Sequence, residues 1–217
     1  MVELSEPLKV LPVKGVEHYS HLAKVVGETF SWGMPPTGLD LESGTKLMLL
    51  NLGERSPLRL ELSRDWGRDV TVFDPYKHEG RARTLVDPKK FQREHVDWVP
   101  PGHVDVLAKW YSVKFTYPDH NRIFVLPGWG ISLQKHALRD EYWTIRSGRP
   151  IVVVGERVHY DVAAGTEFCI PAGTLHSVAN PHEEGVVFLE ERYGGTFDEE
   201  DITRVFNPNQ YSSGKTK

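Results

Sequence analysis

The residues with the clearest capacity for chemistry lie in two short segments in the second half of the chain. In the first segment, Gln134 and His136 are two residues apart on a predicted strand, so both side chains face the same side. Glu141 follows after a short turn, and His176 opens another predicted strand in the second segment. Imidazole nitrogens, carboxylates and amide oxygens are the donors that hold divalent cations in proteins. If the fold brings the two segments together, these donor types can form a metal site.

Short strands must position these residues. From about Lys109 onward, apolar runs of four to seven residues alternate with Gly, Pro, Asn and Asp. The predicted strands are 112–116, 123–126, 132–136, 142–147, 151–154, 157–160, 167–170, 176–179 and 186–191. Many short strands at close spacing indicate an all-β sandwich, jelly roll or barrel.

The first half of the chain has a less regular pattern. Residues 16–30 are a candidate helix, because His21, Leu22, Val25 and Val26 could share one face. Strands are expected within 47–62 and at 70–73, with a turn near Gly53. We therefore predict a mainly β protein with three parts: an N-terminal α+β extension over 1–108, a barrel over 109–206 and a polar tail over 207–217. A degenerate second barrel is the alternative for the extension.

The spacing of the two segments resembles the two-part signature of the cupins, which are small jelly-roll β-barrels. The first part is matched by Gly128, Gln134, His136, Glu141 and Gly148, where the first ligand is usually histidine. The second part is matched by Gly165, Pro171, Gly173, His176 and Asn180. The resemblance implies one divalent metal held by Gln134, His136, Glu141 and His176. Zn²⁺ is our first choice of metal, with Mn²⁺, Fe²⁺, Co²⁺ and Ni²⁺ as alternatives.

A narrower resemblance is to the cupin domain of type II mannose-6-phosphate isomerases. Its first segment is matched by Ser132, Leu133, Gln134, His136, Arg139, Glu141 and Trp143. Residues 170–181 match a second stretch, and a third is matched by Glu190, Gly194, Glu199, Asp201, Ile202 and Arg204. Ala137 and Leu138 stand where that family has histidines. The resemblance implies an aldose–ketose isomerase that moves a proton between C1 and C2 of a sugar or sugar phosphate through a cis-enediol.

Such a reaction needs a cation for the substrate oxygens and a base for the proton. Arg204 is our first candidate for the cation because it matches the family's arginine, and Arg139 is the second. Glu190 and Glu191 are both candidates for the base. Alternation along a strand directs one of the two into the barrel.

Two other functions remain open at this stage. One is a different metal cupin enzyme, such as a dioxygenase or lyase, and the other is a sugar- or metabolite-binding cupin without catalysis. Bound iron with oxygen consumption would indicate the first, and ligand binding without turnover would indicate the second.

Composition restricts the remaining possibilities. The chain has 217 residues and a net charge of −4, which offers no broad electrostatic case for nucleic acid. Its apolar runs are too short for a membrane span, and no secretory signal is evident. The single cysteine, Cys169, is interpreted as a buried core residue in a cytoplasmic protein. By analogy with other cupins, we expect a homodimer.

Overall fold

The computed structural model describes residues 1–13, 19–53, 59–78, 81–195 and 200–207. Within these ranges the chain forms nineteen strands and one helix. It divides into two compact units, one of residues 1–74 with 156–158 and one of residues 75–155 with 159–217. The predicted polar tail, apart from Asn207, lies outside the described residues, as does Glu199. No helix in the described ranges is long and apolar enough to cross a membrane.

The first unit is built from two small antiparallel sheets. Its strands are β1 (Val2–Glu3), β2 (Leu8–Pro12), β3 (Leu22–Val26), β4 (Thr29–Trp32), β5 (Leu39–Leu41), β6 (Lys46–Asn51), β7 (Leu60–Leu62) and β8 (Val70–Thr71). One sheet has the order β8-β1-β6-β3-β4, and the other has the order β5-β2-β7. Leu8, Val10 and Leu41 of the small sheet pack with Leu47 of β6 and with Leu4, so apolar side chains of both sheets share one core. Whether this unit is a degenerate barrel stays a prediction.

The predicted helix over 16–30 is wrong for residues 19–30. Residues 14–18 lie outside the described ranges. The segment forms the β3–β4 hairpin, which turns at Gly27 with a positive φ of 60°. Val25 and Val26 pair with Met48 and Leu47 of β6. β-Branched side chains fit a paired, half-buried strand better than a helix, and this long-range pairing outweighs the helical spacing.

The second unit carries the remaining elements. They are α1 (Pro88–Glu94), β9 (Asp105–Ala108), β10 (Ser112–Thr116), β11 (Asn121–Val125), β12 (Leu133–Lys135), β13 (Arg139–Ser147), β14 (Ile151–Val154), β15 (Arg157–His159), β16 (Glu167–Ile170), β17 (His176–Ala179), β18 (Val187–Gly195) and β19 (Thr203–Phe206). Only β15 straddles both units, since residues 157 and 158 belong to the first. All nine strands expected after Lys109 are present, and four of them have the predicted bounds.

Two antiparallel sheets form the second unit as a jelly roll. A six-stranded sheet has the order β16-β13-β18-β11-β10-β9, and the strands β19-β12-β17-β14 are neighbours in the other. The apolar core between them takes Trp143 and Ile145 from β13, Leu189 from β18 and Val178 from β17. Along β13 and β18, every second side chain enters this core, which sets the direction of the polar residues further along the same strands.

The outer face of the six-stranded sheet is partly covered by α1. Asp87 caps this helix by accepting hydrogen bonds from the backbone N–H groups of Lys89 and Lys90. Phe91 packs from the helix onto Phe115 and other aromatic side chains of the sheet. Because α1 and β9 belong to the second unit, that unit begins well before the predicted start at residue 109.

Candidate metal centre

Three side chains meet at one end of the core of the second unit. His136 directly follows β12, Glu141 lies on β13, and His176 opens β17. One ligand atom from each lies within 4.8 Å of the others. All three residues are buried, with at most 2% of their surface exposed. The structure therefore brings together the two sequence segments that carry the predicted ligands.

The hydrogen bonds of the two imidazoles determine which nitrogen carries a proton. Nδ1 of His176 lies 2.9 Å from the carbonyl oxygen of Thr174, and Nδ1 of His136 contacts the carbonyl oxygen of Asp201. A carbonyl oxygen only accepts, so each Nδ1 must donate. In a neutral imidazole, the Nε2 atom then carries no proton and presents a lone pair.

Both Nε2 lone pairs face the carboxylate of Glu141. The distances are 3.1 Å from His136 to Oε1 and 3.3 Å from His176 to Oε2. Burial lowers the pKa of His136, and it lowers the pKa of His176 to about 4, so both rings are neutral near pH 7. Two imidazole lone pairs and a carboxylate thus face one another at this range, and a cation between them would stabilise the arrangement. The donor set therefore fits a divalent metal ion.

Arg139 satisfies part of this need for positive charge. Its Nε donates to Oε1 of Glu141 at 3.0 Å, and its Nη2 lies 3.1 Å from Nε2 of His136. Nε2 of His176, by contrast, is buried and has no hydrogen-bond partner among the described residues. Buried polar atoms are normally paired, so a cation at this nitrogen would supply the partner that it lacks. Arg139, the second candidate for the cation that binds substrate oxygens, therefore lies beside this centre.

Gln134 lies in the cross-strand row that contains His176. The two residues are paired across β12 and β17, and Arg204 of β19 pairs with Gln134 on its other side. Residues directly opposite in an antiparallel ladder direct their side chains to the same face. Ser132 donates to the amide oxygen of Gln134 at 2.7 Å, which leaves that oxygen a second lone pair. Arg204 is exposed.

Glu191 is a second carboxyl group at the same end of the core. It is buried, and its Oε2 accepts a 2.6 Å hydrogen bond from the amide of Asn121. Trp143 donates to Glu141 at 3.1 Å and lies 3.4 Å from Oε1 of Glu191, so one indole joins the two carboxyl groups. Burial, reinforced by the charge of Glu141, raises the pKa of Glu191 to about 7. A divalent cation would act in the opposite direction on both carboxyl groups.

Glu190 faces the other side of the sheet, so the structure does not bring this candidate base into the site. Its Oε1 accepts hydrogen bonds from Arg146 and Arg192, each at 3.1 Å. Burial opposes ionisation of Glu190, but these arginines outweigh it and lower its pKa. The three residues line a cavity of about 490 Å³ on the outer face. Cys169 also lines it and is exposed, so its assignment to the core was wrong, because the cysteine occupies an outward position of β16.

Two residues of the site were not singled out by their chemistry in the sequence. Asn121 begins β11 and holds Glu191, but no motif marks it. Asp201 was identified only as one residue that matches the isomerase segment, and its contacts with His136 and the turn that follows were not predicted. Both act across more than sixty residues of chain, a relation that local spacing does not reveal.

A jelly roll with two histidines and a glutamate converging at one end of its core defines the second unit as a cupin. A family profile described as Mannose-6-phosphate isomerase C-terminal matches residues 87–207. Since this match covers more than half of the 217 residues, the chain belongs to that family.

Curated relatives share this part of the chain. A mannose-1-phosphate guanylyltransferase of Salmonella muenchen is 29% identical over 107 residues, which is 48% of this chain and 22% of that protein. Mannose-1-phosphate guanylyltransferase 2 of Escherichia coli O157:H7 is 35% identical over 143 residues, or 63% of this chain and 28% of that protein. The chain thus spans about a quarter of the length of these relatives. A solved cupin-2 domain from Rhodospirillum rubrum aligns with a TM-score of 0.37 at 20% identity, over 42% of this chain and 68% of that one.

Proposed function

We propose that this chain is a metal-dependent aldose–ketose isomerase acting on a sugar phosphate of the mannose 6-phosphate type. The observation that carries the proposal is the convergence of three acceptor side chains on one point, with a second buried carboxyl group beside them. The first feature suits a divalent cation, and the second suits proton transfer next to it. Membership of the isomerase family supports the same reaction class.

The proposed ligands are His136, Glu141, His176 and Gln134. The first three converge in the structure, and Gln134 is included because its ladder position opposes His176. A bound divalent cation would polarise substrate oxygens as a Lewis acid. Zn²⁺ remains our first choice, because histidine and carboxylate ligands at a buried site suit it well.

Glu191 is the proposed general base. Its carboxylate would take the proton from C2 of the aldose, so that the C2–H electron pair forms a C1–C2 double bond while the C1=O π pair moves onto O1, which gives a cis-enediolate. The hydroxyl proton on O2 would then pass to O1, the C2=O bond would form, and the C1–C2 π pair would take the proton back from Glu191 at C1, which gives the ketose with no change in composition. Asn121 and Trp143 hold Glu191 in place for both steps.

Arg204 and Arg139 are the proposed contacts for substrate oxygens. Arg204 is exposed and shares the ladder row of Gln134, so its guanidinium can reach an anionic group that approaches from solvent. Arg139 already lies against Glu141 and His136, and it would carry positive charge to oxygens next to the metal. Guanidinium groups bind phosphate and enediolate oxygens well because two of their N–H groups can donate to two oxygens at once.

The test is conversion of mannose 6-phosphate to fructose 6-phosphate by the purified chain, before and after chelation. We expect activity that disappears with chelator and returns with one divalent ion. Glu191→Gln should lower kcat by about 10²–10⁴-fold, the usual range for loss of general acid–base catalysis, with the metal content unchanged. Glu190→Gln is the matched control, because it alters the neighbouring carboxylate on the opposite face of the same strand.

Stoichiometric metal without turnover of sugar phosphates would contradict the isomerase and favour a ligand-binding cupin. Bound iron with oxygen uptake would instead indicate an oxygenase. Guanylyl transfer is not proposed, because the named transferases are matched over only about a quarter of their length.

A further inference from the structure

Asp201 contacts the loop after β12 in two different ways. Its carboxylate accepts hydrogen bonds from the backbone N–H groups of Ala137 at 2.9 Å and Leu138 at 2.8 Å. Its backbone carbonyl oxygen contacts Nδ1 of His136. One residue therefore holds both the imidazole and the two peptide groups that follow it.

The segment around Asp201 is fixed in register next to this loop. Two residues beyond Asp201, Thr203 begins β19 and pairs with Lys135, the last residue of β12. Because that pairing ends one residue before His136, the chain at Asp201 continues alongside the imidazole. The anchoring of His136 is thus a long-range interaction, whereas His176 is anchored by Thr174, which is only two residues away.

Two contacts favour the same tautomer of His136: the carbonyl oxygen of Asp201 at Nδ1, and Nη2 of Arg139, which can only donate, 3.1 Å from Nε2. When Nδ1 donates to a carbonyl oxygen, the proton is absent from Nε2, and the lone pair at Nε2 faces Glu141. Partners of this type orient metal-binding histidines, and losing them typically weakens metal binding by about 10–100-fold. An imidazole free to carry its proton on Nε2 could not bind a cation there.

We propose that Asp201 is a positioning residue, whose carboxylate holds its own carbonyl group on His136 and so, together with Arg139 at Nε2, fixes the tautomer of that proposed ligand. The inference rests on the metal site of the proposed function and adds a residue to it. Each carboxylate oxygen accepts a hydrogen bond from a backbone N–H group of this loop, so the role of the carboxylate is to hold the loop and not to act on a substrate.

The experiment measures two quantities separately in Asp201→Ala and Asp201→Asn: the tautomer of His136 and the affinity for a cation. Long-range ¹H–¹⁵N spectra of the imidazoles in chelated protein report the tautomer of each ring. We expect Nδ1–H for His136 in the natural protein and a gain of Nε2–H in Asp201→Ala. The Zn²⁺ dissociation constant, measured by competition with a chromogenic chelator, should rise by about 10–100-fold in Asp201→Ala. It should rise less in Asp201→Asn, which keeps one acceptor oxygen.

Asp87→Ala is the matched control. Asp87 also accepts two backbone N–H hydrogen bonds in the second unit, but it caps α1 and does not contact His136. Its zinc affinity should stay within about two-fold of the natural protein. Equal zinc affinities in Asp87→Ala and Asp201→Ala, with His136 unchanged in tautomer, would overturn the proposal. If the natural protein bound no zinc, the proposed metal site would fall, but the spectra of chelated protein would still decide the role of Asp201.

Discussion

At the scale of single residues, neighbouring charges determine what each site group can do. Glu141 is buried between two neutral imidazoles and the guanidinium of Arg139. Burial raises the pKa of Glu141, although the charge and hydrogen bond of Arg139 oppose this. Glu191 has no such arginine hydrogen-bonded to it among the described contacts, and its partner Asn121 is neutral. The two carboxyl groups are therefore suited to different roles, one as a ligand and one as a proton carrier.

A pH titration of stability in chelated protein tests the environment of Glu191. The folded state holds its proton up to a pKa of about 7, whereas the unfolded chain releases it near 4.5. The stabilisation from this group is therefore fully present below pH 4.5 and is lost as the pH rises through 7. Between these limits, the free energy of unfolding should fall by up to about 3 kcal/mol relative to Glu191→Gln. Parallel profiles for the two proteins, measured by urea unfolding, would show that Glu191 titrates normally.

At the scale of elements, the alternation of a strand separates two adjacent carboxylates. β18 directs Glu191 toward the core and Glu190 toward Arg146 and Arg192 on the outer face. The same period directs Glu141, Trp143 and Ile145 of β13 inward. Each strand thus passes from apolar core residues to polar site residues without a break in pattern, and the site lies at the end of the core that these residues share.

Asn180 joins the elements at the loops of the second unit. It is buried, and its side-chain amide donates to the carbonyl oxygens of Val125 and Gly185. Asn180→Ala leaves both carbonyl groups without this donor, so we expect a loss of about 2–4 kcal/mol in the free energy of unfolding. Urea denaturation measures it. Ser177→Ala, which removes a single side-chain bond to Ile131, should cost about 1 kcal/mol; a similar loss in both variants would contradict the bridging role.

At the scale of the whole molecule, binding of the proposed cation should be coupled to folding. A ligand that binds only the folded chain adds stability, by about 2.7 kcal/mol at a hundred times its dissociation constant. For a chain of this length, that should raise Tm by roughly 5–10 °C. Differential scanning calorimetry with and without Zn²⁺ measures the shift, which His176→Ala should abolish. An equal shift in His176→Ala would place the bound ion elsewhere in the molecule. The homodimer also stays a prediction, to be tested by sedimentation.

Much of the second unit followed from local patterns. Strands β10, β14, β16 and β17 begin and end where the sequence predicted. Alternating apolar residues and turn-forming glycines indicate such bounds from a few neighbouring positions. One such glycine is Gly148, whose φ of 84° and close approach to Val187 leave no room for a side chain. The resemblance to the cupin signature predicted His136, Glu141 and His176 as ligands, and the structure brings these three side chains together.

The sequence by itself determined the strand pattern of the barrel, the donor types and the family, since each depends on residues close together along the chain. The tertiary structure decided the rest. It showed Glu191 rather than Glu190 at the site, placed Asp201 on His136, and formed strands where a helix was expected over 16–30. In each case, the deciding contact joins residues distant in sequence. The free energy of such pairings outweighs local preference, and only the folded chain reveals which distant residues meet.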